Sequence, residues 1–262
     1  MRNHGTAGRL CPIDRGGTRD VPFSMTEPLA IVLWTLLAGA AMPLGGALAC
    51  FERIKPGWLE NEFRHFVIAF GGGALLSAVA LVLVPEGMAG LSIPAVAFWF
   101  LLGGIAFFGL DVYLASRKTQ GAQLVAMLAD FIPEAIALGA TFGSGSSVGP
   151  LLAMLIALQN LPEGFNSYRE VTASGSFRPS HILFTFCALA LLGPVCGLAG
   201  YYFLADFPTT ISGLMLFSAG GILYLIFQDI APQAKLERHW SPPLGAVAGF
   251  LLGLMAHLMV NS

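Results

Sequence analysis

The chain has 262 residues, 56% of them hydrophobic and only 11% charged, with a mean hydropathy of +0.75, far from soluble proteins, where charged residues alone reach about 25%. A net charge of −2 and the lack of any lysine or arginine run exclude a nucleic-acid surface. The four cysteines, Cys11, Cys50, Cys187 and Cys196, form no C-x-x-C pair, so neither a disulfide framework nor a thiolate metal site is implied.

This composition predicts an all-α polytopic membrane protein whose solvent is the lipid bilayer. Residues 1–24 are rich in Gly, Arg and Pro, with Arg2, Arg9, Arg15 and Arg19 and no apolar signal-peptide core. They read as a disordered tail, and a compact membrane domain covering 25–262 could begin at Met25. Apolar runs long enough for spans of about 20 residues then follow at 28–51, 64–86, 93–115, 121–142, 147–168, 180–204, 208–231 and 242–260. Eight transmembrane helices are therefore expected. The breaks between them are short and carry turn residues, among them Lys55-Pro56-Gly57 and Asp206-Phe207-Pro208. Arg53, Lys55 and Arg64 surround the first break, Arg117 and Lys118 the third, Arg169 and Arg178 the fifth, and Lys235 and Arg238 the seventh, whereas the even breaks have no lysine or arginine. The positive-inside rule places the odd loops in the cytoplasm and both termini outside the cell membrane.

The fourth and fifth runs hold the costliest residues. Pro133-Glu134 and Pro162-Glu163 each place a helix breaker beside a carboxylate, and an acidic group at bilayer depth costs at least ~2.5 kcal/mol. One helical turn earlier stand Asp130 and Gln159, on the same helix faces as Glu134 and Glu163. If the two faces meet, three carboxylates and an amide oxygen surround one cavity. Two readings are open: the carboxylates stay protonated and bond between helices, or a divalent cation neutralises them, for no lysine or arginine lies within these runs to do so.

Antiparallel spans also repeat one another. Phe70-Gly71-Gly72-Gly73 leads to Pro85-Glu86 in the second run, and Ser218-Ala219-Gly220-Gly221 leads to Pro232-Gln233 in the seventh. The fourth and fifth runs repeat the Pro-Glu motif, so an inverted-repeat arrangement is expected, as in many transporters.

The segments Asp130-Phe-Ile-Pro-Glu134-Ala and Gln159-Asn-Leu-Pro-Glu163-Gly resemble the paired H-N-x-P-E-G and H/Q-N/D-x-P-E-G motifs of the ZIP (Zrt/Irt-like) divalent-metal transporters. The resemblance spans Met25 to Ser262 and implies an eight-helix bundle of the bacterial type, with no enzymatic activity and no prosthetic group. It implies import of a divalent metal ion, with zinc the usual cargo and manganese, iron or cadmium as others, by movement of one helix group against another. A homodimer is ordinary for such proteins. Four positions depart from the family pattern. Asp130 stands where histidine is usual, Phe131 where asparagine is usual, and Gly193 replaces the glutamate of the sixth-helix E-P-x-G motif; Asn160 stands where two-metal members often have aspartate. These losses fall on the second metal position, so a single site formed by Asp130, Glu134, Gln159 and Glu163 is expected.

Its all-oxygen ligands shift preference from zinc toward harder ions. Glu86 and Asp229, near opposite ends of the second and seventh spans, are candidate access-path groups, with Asn160 and Ser77 as further candidates. Asp111 reads as a partner of Arg117 or as a helix end. His4, His65, His181, His239 and His257 lie outside the motif. Two other function classes are weighed against transport: a transport-inactive scaffold or regulatory relative, and an intramembrane metal-dependent hydrolase, for which the usual histidine ligands and open coordination position are missing.

Overall fold

Helices form along every apolar run, and their ends fall where proline or glycine removes a hydrogen bond or permits a reversal. The computed structural model describes residues 26–51, 57–117, 121–143, 148–173, 175, 177–234 and 241–261. The expected tail, with His4, and the loop residues Arg53, Lys55, Lys118, Lys235, Arg238 and His239 lie outside the described residues. The elements are α1 (Thr26–Phe51), α2 (Gly57–Ala78), α3 (Val84–Met88), α4 (Ile93–Arg117), α5 (Ala122–Gly143), α6 (Gly149–Ala173), α7 (Pro179–Ala190), α8 (Leu192–Leu204), α9 (Pro208–Leu225), α10 (Ala231–Gln233) and α11 (Leu244–Asn261). A π-helical turn, Val79–Leu83, joins α2 to α3, and a second, Ile226–Ile230, joins α9 to α10. The described residues therefore form eight rods: α1, α2–α3, α4, α5, α6, α7–α8, α9–α10 and α11.

Six of these rods are long and apolar enough to cross a membrane. The fifth, α6, is diluted by Gln159, Asn160, Glu163, Arg169 and Glu170, and the apolar part of the eighth is the shorter Leu244–Met259. The chain is thus a helical, membrane-embedded type of protein, and among the described residues there is no strand. Large apolar side chains face outward in number, including Ile93, Leu101 and Ile105 on α4 and Phe184 on α7. In water such a surface would aggregate, whereas lipid accepts it.

The rods pack as two related halves. The first rod packs most heavily on the fifth and the sixth on the fourth; the second packs on the eighth and the third on the seventh. Exchanging first with sixth, second with seventh, third with eighth and fourth with fifth leaves this pattern unchanged. The glycines repeat it at atomic level. A Cβ on Gly73 would strike the backbone of Ala246, and one on Gly220 the backbone of Phe100; Gly103 abuts Phe217, and Gly249 abuts Phe70. The displacement that carries Pro85 onto Pro232 also carries one π turn onto the other, Gly73 onto Gly220 and Phe70 onto Phe217. This corrects the register of the glycine runs by one residue: Phe70 pairs with Phe217, because the π turn and its proline, not the count of glycines, fix the equivalence.

Two bodies result, one of the first, fourth, fifth and sixth rods and the other of the second, third, seventh and eighth. They meet mainly where the second rod lies on the fifth and the fourth on the seventh. The Pro-Glu motifs of α5 and α6 therefore face the seam between the bodies.

Candidate metal site and its access chamber

Pro133 and Pro162 sit inside unbroken helices, so each keeps its glutamate in register with the polar residue one turn earlier. Asp130, Glu134 and Gln159 are fully buried, and Glu163 is half-buried with its Oε2 enclosed. The amide Nε2 of Gln159 donates to Glu134 Oε2 at 2.5 Å, joining the two motifs directly. Both oxygens of Asp130, Oε1 of Glu134, Oε1 of Gln159 and Oε2 of Glu163 have no hydrogen-bond partner. The negative charges of Glu134 and Glu163 both bear on Asp130, and that of Glu134 on Glu163. The sequence-predicted ligands are thus gathered in one region, rich in oxygen acceptors that lack donors. A buried acceptor of this kind is costly unless a proton or a cation completes it.

The four groups do not form a closed cage. Among the described residues no three Asp, Glu, His or Cys side chains stand together as a metal-holding group. Gln159 presents its N–H side to Glu134 and its Oε1 is left without a partner.

Phe131 and Gly193 pack directly against each other. The fully buried Phe131 ring fits between the first and sixth rods, where a Cβ on Gly39 or Gly193 would meet its Cζ at 3.1 and 3.0 Å. A glutamate at 193 would collide with that ring and with the Thr35 carbonyl, so the aromatic residue and the glycine form one packing unit. Asn160, also fully buried, donates from Nδ2 to the Ala38 carbonyl at 3.0 Å and ties the fifth rod to the first.

The remaining expected residues separate clearly. Ser77 is buried, donates to the Ala74 carbonyl at 2.7 Å and lies against Gly253 in the contact between second and eighth rods. Glu86 is half-buried in α3. Asp229, on the second π turn, lines a chamber of about 530 Å³ with Arg64, Asp111, Asn166, Arg169, Glu170 and Gln233. A smaller cavity of about 40 Å³ shares Ala126, Asn166, Leu225 and Asp229 with the chamber and has Glu163 and Pro162 in its wall. The chamber lies at the end of the bundle where α2 and α5 begin and α6 and α10 finish. Through the shared residues it adjoins the small cavity beside Glu163.

Asp111 does not pair with Arg117 as expected. Six residues of helix set them about 120° apart around the axis and about 9 Å apart along it, and Asp111 Oδ2 instead accepts from the Tyr224 hydroxyl at 2.9 Å. Arg117, one turn beyond Tyr113, lies over that ring at 5.5 Å. His181 is exposed at the start of α7. Sequence reasoning missed Asn166: it lies one turn beyond Glu163 on the same face of α6, and only the cavity distinguishes it from an ordinary helix-end polar residue. No protein-family model and no curated protein matches the chain.

Proposed function

We propose that the chain transports divalent metal cations across the membrane through the seam between its two bodies, in the manner of the ZIP transporters whose motifs it resembles. The observation that carries this reading is the set of enclosed oxygen acceptors on two proline-containing helices, with a chamber at one end of the bundle that adjoins the small cavity beside Glu163. All eight rods cross the bilayer, the basic loops face the cytoplasm, and the cation passes inward. Asp130, Glu134, Gln159 and Glu163 take the cation. The pseudo-symmetric seams, second rod on fifth and fourth on seventh, are the surfaces that slide or rock to expose the site to each side in turn.

Selectivity gives the test. In competition uptake by proteoliposomes, the wild type should take Mn²⁺ or Fe²⁺ at least as well as Zn²⁺, because its ligands are oxygens only. Asp130→His should move preference toward Zn²⁺ by about tenfold; unchanged selectivity would remove Asp130 from the ligand set. Phe131→Asn combined with Gly193→Glu should raise bound metal by one ion per chain over the wild type, measured by equilibrium dialysis. A stoichiometry unchanged from the wild type would show that the ring is not what closes the neighbouring position.

One specific observation favours a second reading, a transport-inactive relative retained as a scaffold. Gln159 and Glu134 are already bonded to each other, and Phe131 fills the neighbouring position. A folded protein that binds no divalent ion in calorimetry would decide for it.

A further inference from the structure

We infer that Glu163, Asn166 and Asp229 form a second cation position, a relay between the buried ligands and the chamber. The inference rests on the transport reading for its purpose, but the site itself can be tested without transport.

The small cavity is lined by Ile68, Gly71, Ala126, Met127, Leu225 and other apolar groups together with just three polar side chains: two carboxylates and one amide. Among the described residues no lysine or arginine lines it, whereas Arg64 and Arg169 stand in the wider chamber beyond. Oε2 of Glu163 and Oδ1 of Asn166 are both enclosed and without a hydrogen-bond partner. Asp229 comes from the other body, delivered by the π turn Ile226–Ile230. An apolar pocket that gathers two carboxylates and an unpaired amide oxygen from opposite sides of the seam suits a cation and repels an anion.

The cavity is much the tighter of the two spaces, about 40 Å³ against about 530 Å³ for the chamber. A cation that passes from the chamber onto Glu163, Asn166 and Asp229 gives up part of its hydration shell to them. Glu163 belongs to both positions, so the ion changes its other ligands one side at a time and never becomes bare. Mg²⁺, which dehydrates reluctantly and demands near-ideal octahedral geometry, is disfavoured relative to Mn²⁺.

The test uses the full chain in detergent and Mn²⁺ as probe, read by the paramagnetic resonance of free and bound ion. Asp130→Asn with Glu134→Gln disables the deeper ligands and should leave one residual Mn²⁺ position that Mg²⁺ does not compete for at equal concentration. Adding Asn166→Leu or Asp229→Asn should weaken it by about tenfold or more, as ligand-shell losses do, while Asn166→Asp should tighten it. Absence of residual binding in the folded double variant, or binding indifferent to Asn166→Leu and Asp229→Asn, overturns the relay. If Asn166→Leu does not fold, Asn166→Asp and Asp229→Asn decide alone. Proteoliposomes of the wild type that take up no cation while the residual site responds as stated would remove the transport reading and leave the site standing.

Discussion

Glu134→Gln is expected to abolish cation uptake and, in the absence of metal, to raise thermal stability. Glu134 is fully buried, its Oε2 accepts from Gln159 and its Oε1 has no partner. The amide is the same size and keeps an acceptor for Gln159, while removing a charge whose burial costs several kcal/mol. A gain of about 1 kcal/mol or more is reasonable, corresponding to a rise in Tm of about 2–4 °C. A ligand present at a hundred times its Kd stabilises the form that binds it by about 2.7 kcal/mol. Mn²⁺ should therefore shift the melting of the wild type by clearly more than that of Glu134→Gln, in which only the Glu163, Asn166 and Asp229 position remains. A shift as large in the variant as in the wild type would show that Glu134 is not a ligand. More stability with less activity is the usual signature of a functional site held at a cost.

The second large effect is structural. Gly139→Val should destabilise the protein by at least about 3 kcal/mol, the upper part of the range for overpacking. A Cβ at this position meets the backbone of Gly197 in the sixth rod, and a backbone segment inside a helix cannot rotate aside as a side chain would. The repeat supplies the comparison: Gly73→Val and Gly220→Val should lose similar amounts, since both lie against backbone in pseudo-equivalent contacts. Gly109 is the internal control, exposed on α4 with no atom within 4 Å of an added Cβ. Gly109→Ala should be neutral or stabilising by up to about 1 kcal/mol, the helix-propensity difference. Unfolding in mixed micelles gives all four values. Equal tolerance at Gly139 and Gly109 would contradict the close crossing of α5 and α8.

The positions of the helices were legible because hydropathy and proline-glycine punctuation act locally. The rods follow the expected apolar runs, with α2 starting earlier at Gly57 and α6 continuing to Ala173. The repeat was legible through Pro85 and Pro232, but its register was not. The π turns that set it, Val79–Leu83 and Ile226–Ile230, each end just before a proline, but a proline in a sequence does not announce whether the turn before it widens or the helix merely kinks. At the site, Asp130, Glu134, Gln159 and Glu163 could be read from spacing, since residues four apart share a helix face. The hydrogen bond from Gln159 to Glu134 could not, because it depends on how two helices approach. Phe131 and Gly193 were visible as two departures from a motif, and only their contact explains why they occur together. Asn166 and the Asp111–Tyr224 bond were invisible for a related reason. A polar residue near a helix end has the same sequence signature in water, against lipid headgroups or in the wall of a chamber.

Whether the oxygen ligands on α5 and α6 carry a divalent cation across the membrane is decided by Mn²⁺ and Zn²⁺ uptake into proteoliposomes containing the purified full chain, beside Glu134→Gln and Glu163→Gln at matched protein content. Uptake by the wild type should be saturable and should fall to the level of empty liposomes in both variants. A folded wild type that admits neither ion, or variants that transport as well as the wild type, would contradict the proposed transport.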